Sequence, residues 1–330
     1  MIIDATVAPN DIKYPTDINL LNSSRENLEK YIDVLHTPDI GIKKKPRTYR
    51  CKARKNYLAI EKKRKKTYAA ITEAIKNQLS YVYRNLEIIG KIILEDPSRI
   101  ELLSNTQKTK LDTIKIIYEQ QKYMFDNNIK KISNRIVSVS QPYIRPIVRG
   151  KAGANVEFGC KILSSVVDGY SFIDYMKFDS FNEGSYLKES VELYKNRFGC
   201  YPEAVMADTI FRNKVNRDWL KSLGIRMSGP RLGRPPKDKE KNKLIKKQEK
   251  EDFGIRNHVE GSYGVGKRKY SLGLIKSKTA ETTTSEISIQ FLVMNLGILL
   301  KFLRAFFEDL ILKIIFRKIY VKNINYLFVQ

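Results

Sequence analysis

Between Ile71 and Ile93 the apolar residues fall at Ile71, Ile75, Leu79, Val82, Leu86, Ile89 and Ile93. Steps of four, four, three, four, three and four trace one face of an α-helix and approach a heptad stripe. A helix of that length must lay its stripe against something, and the chain supplies a partner. After the punctuating Glu95-Asp96-Pro97-Ser98, a second stripe runs through Leu111, Ile114, Ile117, Gln121, Met124, Ile129, Ile132 and Ile136. Two long helices with a short break between them predict an antiparallel helical hairpin.

On either side of the hairpin the texture is that of an α/β domain. The chain opens on an apolar run, Ile2 to Val7, that carries Asp4 and stops at Pro9. With only Met1 to Ile3 leading into Asp4, this strand is expected to fray. Val156, Phe158, Cys160 and Ile162 alternate, Asp168-Gly169 marks a hairpin turn, and Tyr170 to Phe178 runs back. An amphipathic helix over Glu183 to Gly199 closes on a glycine cap. Ala204 to Ala207 reads as a short strand ending at Asp208. A helix from Asn216, a short strand from Arg226, a charged linker from Gly233 to Asp252 and a helix carrying Arg256 and Glu260 follow.

This order predicts an α/β fold with a mixed sheet, the hairpin being an insertion between the first two strands. First and fourth strands side by side would bring Asp4 and Asp208 to one edge of the sheet. A helix packed over that edge would add Glu260. Three converging carboxylates suit a hard cation such as Mg²⁺. Two such ions about 4 Å apart can clamp the attacking and leaving oxygens of a phosphoryl transfer. The same spacing also fits a strand-end aspartate, a helix cap and a surface glutamate that bind nothing.

Charge narrows the partner. Lys and Arg number 61 against 36 Asp and Glu, a formal net charge of +25. That excess favours a polyanion, nucleic acid before an anionic membrane. A basic run from Lys43 to Lys55, with Lys44, Lys45 and Arg47, interleaves cations with Tyr49 and reads as a phosphate-contacting arm, or as a solvated helix start. The three cysteines, Cys51, Cys160 and Cys200, form no CxxC pair, and only two histidines are present. Zinc ribbons, disulfide frameworks and histidine triads are therefore unsupported. "GSYGVGKR" (Gly261 to Arg268) lacks the Ser or Thr of a P-loop at Arg268. Lys267 and Arg268 read better as cations facing a phosphate backbone. The uncharged run Ile287 to Leu300 is shorter than the ~20 residues of a membrane span and reads as a buried core helix. No secretory leader follows Met1, so a cytoplasmic, nucleoid-associated location without a membrane is expected.

At "FGIRNHVEGSYGVGK" the chain resembles the DDE transposases of bacterial insertion sequences, in the IS-five superfamily and its IS-eleven-eighty-two-like branch. Their C-terminal signature is Tyr, two residues, Arg, three residues, Glu, six residues, Lys. Arg256, Glu260 and Lys267 stand at those spacings, and Phe253 replaces the tyrosine. "IDATVAPNDIKYPTDINLLNSSRE", "QPYIRPIVRGKAGANVEFGCKI", "YPEAVMADTIFRN", "SGPRLGRPPK", "KRKYSLGLIKSK" and "QFLVMNLGILL" are similar to further blocks of that family, over nearly the whole chain.

The resemblance implies an RNase H-like (retroviral-integrase-type) core over residues 1–18 and 144–300. A basic arm and helical-hairpin insertion would occupy 19–143, and a helical tail 301–330. It implies Asp4, Asp208 and Glu260 as catalytic metal ligands for one or, more fully, two Mg²⁺ ions, with Mn²⁺ as a substitute. DNA at transposon ends and targets would be the partner, with Arg256, Lys267, Arg268, Lys43, Lys44, Lys45 and Arg47 on its phosphates. A homodimer is one expected form of the synaptic complex. The family's long segment ahead of its first aspartate has no counterpart here, which implies an N-terminally truncated copy. An active strand transferase and a catalytically inactive DNA-binding remnant are both compatible with that resemblance.

Overall fold

In chain order the elements are β1 (Ile2–Pro9), α1 (Asp17–Leu35), α2 (Arg50–Glu61), α3 (Tyr68–Glu95), α4 (Asn105–Asp126), β2 (Arg145–Lys151) and β3 (Ala154–Val167). They continue as β4 (Tyr170–Lys177), α5 (Leu187–Phe198), β5 (Ala204–Ala207), α6 (Lys214–Ser222), β6 (Arg226–Met227), α7 (Lys239–Lys269) and α8 (Ala280–Leu327). This computed structural model describes residues 1–38, 44–151, 154–230, 233 and 238–327. The chain forms two compact units. One comprises Met1–Asn10, Cys160–Ser277 and Glu281–Gln330, and the other Asp11–Gly159 with Lys278–Ala280.

The second unit is built on the predicted hairpin, with more around it. Leu79, Val82, Ile89 and Ile92 of α3 pack with Leu111, Ile114 and Ile117 of α4. Leu28, Ile32 and Leu35 of α1, a helix the apolar pattern did not single out, join the same core. Helix starts are set by side chains. Thr16 and Thr67 accept backbone N–H groups of α1 and α3, and Ser104 with Gln107 forms a reciprocal capping box on α4. The second apolar stripe runs through to Ile136 in the sequence, but α4 stops at Asp126. Asn127 follows and Asn128 takes the left-handed conformation (φ 52°), which ends the helix. Ile136 still reaches the core from beyond that end. β2, also unforeseen, pairs antiparallel with the first part of β3.

In the first unit the strands lie in the order β4-β3-β1-β5-β6. β3 and β4 form the hairpin predicted at Asp168-Gly169, and both turn residues have positive φ (51° and 88°), as a two-residue hairpin turn requires. β1 pairs parallel with β5, and β5 with β6. The first strand is tied down at its start. The Met1 amino group donates to the Ala204 carbonyl at 3.0 Å, and the Met206 N–H donates to the Met1 carbonyl at 2.9 Å. The expected fraying is thus countered by pairing from the first residue. Alternation along β1 and β5 splits the core in two. Ile3, Ala5, Val205 and Ala207 face Leu187 and Val191 of α5 and Leu220 of α6, whereas Ile2, Ala204 and Met206 face Val259 and Tyr263 of α7.

Two expectations change here. The charged stretch read as a linker is helical from Lys239, capped by Asp238, and continues without a break through Glu260 to Lys269. α8, expected as a buried core helix, buries one side only (Ile287, Phe291, Met294) and runs on to Leu327.

Candidate active site

The register of β1 on β5 builds the site. Ile2 lies opposite Met206 and Ile3 opposite Ala207 in a parallel pair. One step further sets Asp4 beside Asp208, the first residue beyond β5. Side chains alternate across a strand, so both aspartates follow Ile2 and Met206 onto the face that α7 covers. The predicted meeting of first and fourth predicted strands is therefore present.

Each aspartate is held from its own backbone. Asp4 Oδ1 accepts the Ala5 N–H at 2.8 Å, and Asp208 Oδ1 accepts the Thr209 N–H at 2.7 Å, capping a 3-10 turn over Thr209–Phe211. Above Asp4, the buried Tyr263 hydroxyl donates to the Asp4 carbonyl at 2.7 Å and lies 2.9 Å from Ser164 Oγ. Burial, reinforced by the Asp4 charge, pushes the Tyr263 phenol well above its ordinary range and keeps this strut protonated.

The electrostatics at Asp4 are set by burial first and by neighbouring charges of both signs after it. Burial pushes the Asp4 carboxyl from 3.8 up to about 6. The Ala5 N–H opposes that shift, the charges of Glu183 and Asp208 add to it, and the Arg256 guanidinium works against it. Arg256 also approaches Asp208, Nη1 to Oδ1 at 3.5 Å, and its guanidinium lies 5.5 Å from the centre of the Phe253 ring. Phe253 thus uses its ring face where the signature tyrosine would add a hydroxyl. A cleft of about 220 Å³ opens beside Asp208, lined among others by Arg212, Ser228, Gly229, Phe253 and Arg256. Arg212 donates to the Pro230 carbonyl at 2.7 Å. A side chain at Gly229 (φ 105°) would strike the Arg212 guanidinium, so this glycine makes room for the cation.

Two of these residues escaped the sequence reading. Glu183 opens the 3-10 turn before α5 and pairs with Lys161 at 2.8 Å. It is drawn toward the site because Gly184 sits so close to the Ile210 carbonyl that an added Cβ would lie 2.5 Å from it. The buried Asn216 amide ties the two turns, donating to the Gly184 and Phe211 carbonyls at 2.7 and 2.9 Å. Arg212, four residues past Asp208, is the other. Neither carries a spacing signal, because tertiary hydrogen bonds place them.

The remaining expected residues are less closely joined. Glu260 is exposed on α7, next to buried Val259 and one turn beyond Arg256. Among the described residues no group of three or more His, Cys, Asp or Glu side chains is gathered to hold a metal ion. The structure therefore brings Asp4 and Asp208 together and leaves Glu260 outside their contacts. Lys267 is half-buried on α7, while Arg268 is exposed and donates back to the Gly264 carbonyl. In the other unit Lys44 and Arg47 are exposed, and Lys45 is paired with Asp33 at 2.7 Å alongside Arg50. Lys43 lies outside the described residues.

Residues 205–297 match the family model of the transposase DDE domain. The match covers less than a third of the chain, but it takes in Asp208, Arg212, Arg256, Glu260 and Lys267, and supports a DDE transposase. Asp4 lies outside it. No curated protein and no solved structure matches the chain. DDE domains of transposases generally use divalent metal ions. The donor set at Asp4 and Asp208 fits such an ion. Both are hard oxygen donors, Asp4 on β1 and Asp208 directly after the neighbouring β5, and Asp4 is buried, which is the main cause of its raised carboxyl.

Proposed function

We propose that this chain is the catalytic region of an insertion-sequence DDE transposase with an RNase H-like core, cutting DNA strands and transferring their 3′ ends. The observation that carries the reading is the parallel register that sets Asp4 beside Asp208, on the face covered by the helix that bears the Arg256-Glu260-Lys267 spacing. The strand order β4-β3-β1-β5-β6, with antiparallel hairpin first and parallel strands after, supports it.

In this reading Asp4 and Asp208 hold Mg²⁺ or Mn²⁺, singly or as a pair, with Glu260 as the third carboxylate. When bound, the metal supplies Lewis acidity for the attacking and departing oxygens of the phosphodiester. The protein's own residues do the rest. Tyr263 fixes the height of the β1 backbone under α7, and so the position of the Asp4 carboxylate. Arg256 and Arg212 present cations to the cleft beside Asp208, where a phosphate would sit, and Lys267 and Arg268 continue that charge along α7. Arg256 would exchange its long contact to Asp208 for a phosphate oxygen while keeping the Phe253 ring beside it.

The second reading, a DNA-binding protein that does not cut, is favoured by one observation: the exposed Glu260 stands apart from the two aspartates. Nicking of supercoiled plasmid separates the two. The first reading expects open-circular product in Mg²⁺ or Mn²⁺, none in EDTA, and none from Asp208→Ala. Equal cutting by Asp208→Ala would refute it. Salt-sensitive gel shifts without any metal-dependent cutting would establish the second.

A further inference from the structure

The apolar stripe of α3 begins at Ile71, but its first turns are not packed like the rest. Leu79, Val82, Ile89 and Ile92 are buried, whereas Ile71 and Ile75 are only half-buried. At that end of the hairpin the second unit encloses a cavity of about 430 Å³. The start of α1, the end of α2, the start of α3 and the end of α4 surround it. Ile18, Ile71, Ile75, Met124, Phe125 and Ile129 give it apolar walls. The volume is that of a small-molecule site between the helices of a bundle.

Three lining residues hold donors that meet no acceptor. Gln121 is 2% exposed, and its Nε2 has no hydrogen-bond partner. Arg135 Nε is buried and likewise unpartnered. Lys130 is exposed, its Nζ 5.5 Å from the centre of the Tyr68 ring, and no carboxylate pairs with it among the described residues. Arg135 donates to the Lys130 carbonyl at 3.3 Å, so these two cations are neighbours. A buried donor left without a partner is costly, and a native chain rarely keeps one that nothing meets. The two carboxylates of the lining are already neutralised, Asp17 by Arg135 and Glu61 by Lys66 at 3.2 Å. Lys66, Lys130 and Arg135 against Asp17 and Glu61 leave the lining one positive charge in excess.

This chemistry selects its occupant. A water fills about 30 Å³ and would leave the apolar walls wet. A neutral hydrocarbon covers those walls and leaves the donors and the excess charge unanswered. A nucleotide brings a base whose polar edge needs several partners. The walls offer it little beyond the Gln121 amide, because Asn128 Oδ1 already accepts the Tyr68 hydroxyl at 2.6 Å. An apolar body with one carboxylate answers both the walls and the donors. We propose that this cavity binds a small hydrophobic monocarboxylate, its apolar body between Ile71, Ile75 and Met124 and its carboxylate taken by Lys130, Arg135 and Gln121. The site lies wholly within the helical unit and does not depend on the DNA-cutting reading.

Calorimetric titration of the full chain with naphthoate tests the proposal. Saturable binding is expected, with the neutral isostere naphthylmethanol about fivefold weaker, the upper end for an exposed ion pair. Lys130→Gln is expected to remove most of that difference. Ile71→Trp fills the cavity from a half-buried wall, and is expected to weaken both ligands roughly tenfold or more. A second readout needs no cavity-filling variant. In the parent labelled at its methionine methyl groups, naphthoate is expected to shift the resonance of Met124, which Met124→Leu identifies by its loss. No saturable heat at millimolar naphthoate overturns the proposal. So does a shift at Met294 of α8 without one at Met124, undiminished binding by a folded Ile71→Trp, or tighter binding of deoxyadenosine monophosphate than of naphthoate at Met124.

Discussion

Replacing Asp4 by asparagine should stabilise the metal-free protein at neutral pH, although Asp4 is assigned the most demanding role in the site. Its carboxyl is pushed from 3.8 to about 6 in the folded chain, by burial first and by Glu183 and Asp208 after that. Between those values the folded state holds a proton that the unfolded state has released. The contribution of this group to stability is therefore fully present below about pH 4 and is lost as pH rises through 6. Two pH units at 1.36 kcal/mol each put the full loss near ~3 kcal/mol. Asparagine keeps the oxygen that accepts the Ala5 N–H and cannot ionise, so it escapes that loss. The assay is urea denaturation from pH 4 to 8 in EDTA, followed by fluorescence of Trp219. That residue is the single tryptophan, and it packs on the cluster containing Ile3, so it reports the unit that holds Asp4. The variant and parent should coincide near pH 4 and separate by up to ~3 kcal/mol above pH 7, the variant being the more stable. Mg²⁺ at pH 7.5 should close the gap by stabilising the parent alone. A variant less stable than the parent at pH 7.5, or a difference that does not change with pH, would refute the reasoning.

Other outcomes follow from the same geometry. Arg256→Ala removes the cation that lowers the Asp4 carboxyl, so the midpoint of the parent's pH profile should move upward in the same titration. Tyr263→Phe leaves the Asp4 carbonyl and Ser164 without their shared partner, and should cost ~1–3 kcal/mol in urea denaturation. Gly184→Ala drives a methyl group onto the Ile210 carbonyl and should cost ~1–3 kcal/mol, more than Ala at the helical Gly254, whose added Cβ meets nothing within 4 Å.

The legible parts of this chain are those governed by short-range alternation. Strand periodicity located the strands leading to Asp4 and Asp208 and left their meeting conditional on the two strands being neighbours, a condition that the parallel β1–β5 register meets. α3 was legible from its stripe. α1 was not, since its buried side includes Asn22, Ser24, Arg25 and Glu29, with Arg25 and Glu29 neutralising each other at 2.5 Å. β2 is broken by Pro146 and Gly150, which hid it. The stretch from Lys239 to Asp252 reads as a linker because its apolar residues are few, yet lysine and glutamate are good helix formers and Asp238 caps them. Glu183 and Arg212 were invisible because Gly184, Asn216 and Gly229 place them through contacts between residues distant in sequence.

The central claim is that two strand aspartates and one helix glutamate act together on a metal-dependent cut. It is tested most directly by measuring plasmid nicking in Mn²⁺ for four single variants: Asp4→Asn, Asp208→Asn, Glu260→Gln and Glu183→Gln. The account predicts that the first three each lose roughly a hundredfold or more in rate, while Glu183→Gln, a neighbour already paired with Lys161, stays within a few-fold of the parent. Parent-like cutting by Asp4→Asn or Asp208→Asn would contradict it. A collapse of Glu183→Gln with Glu260→Gln unaffected would move the third carboxylate from α7 to the turn before α5.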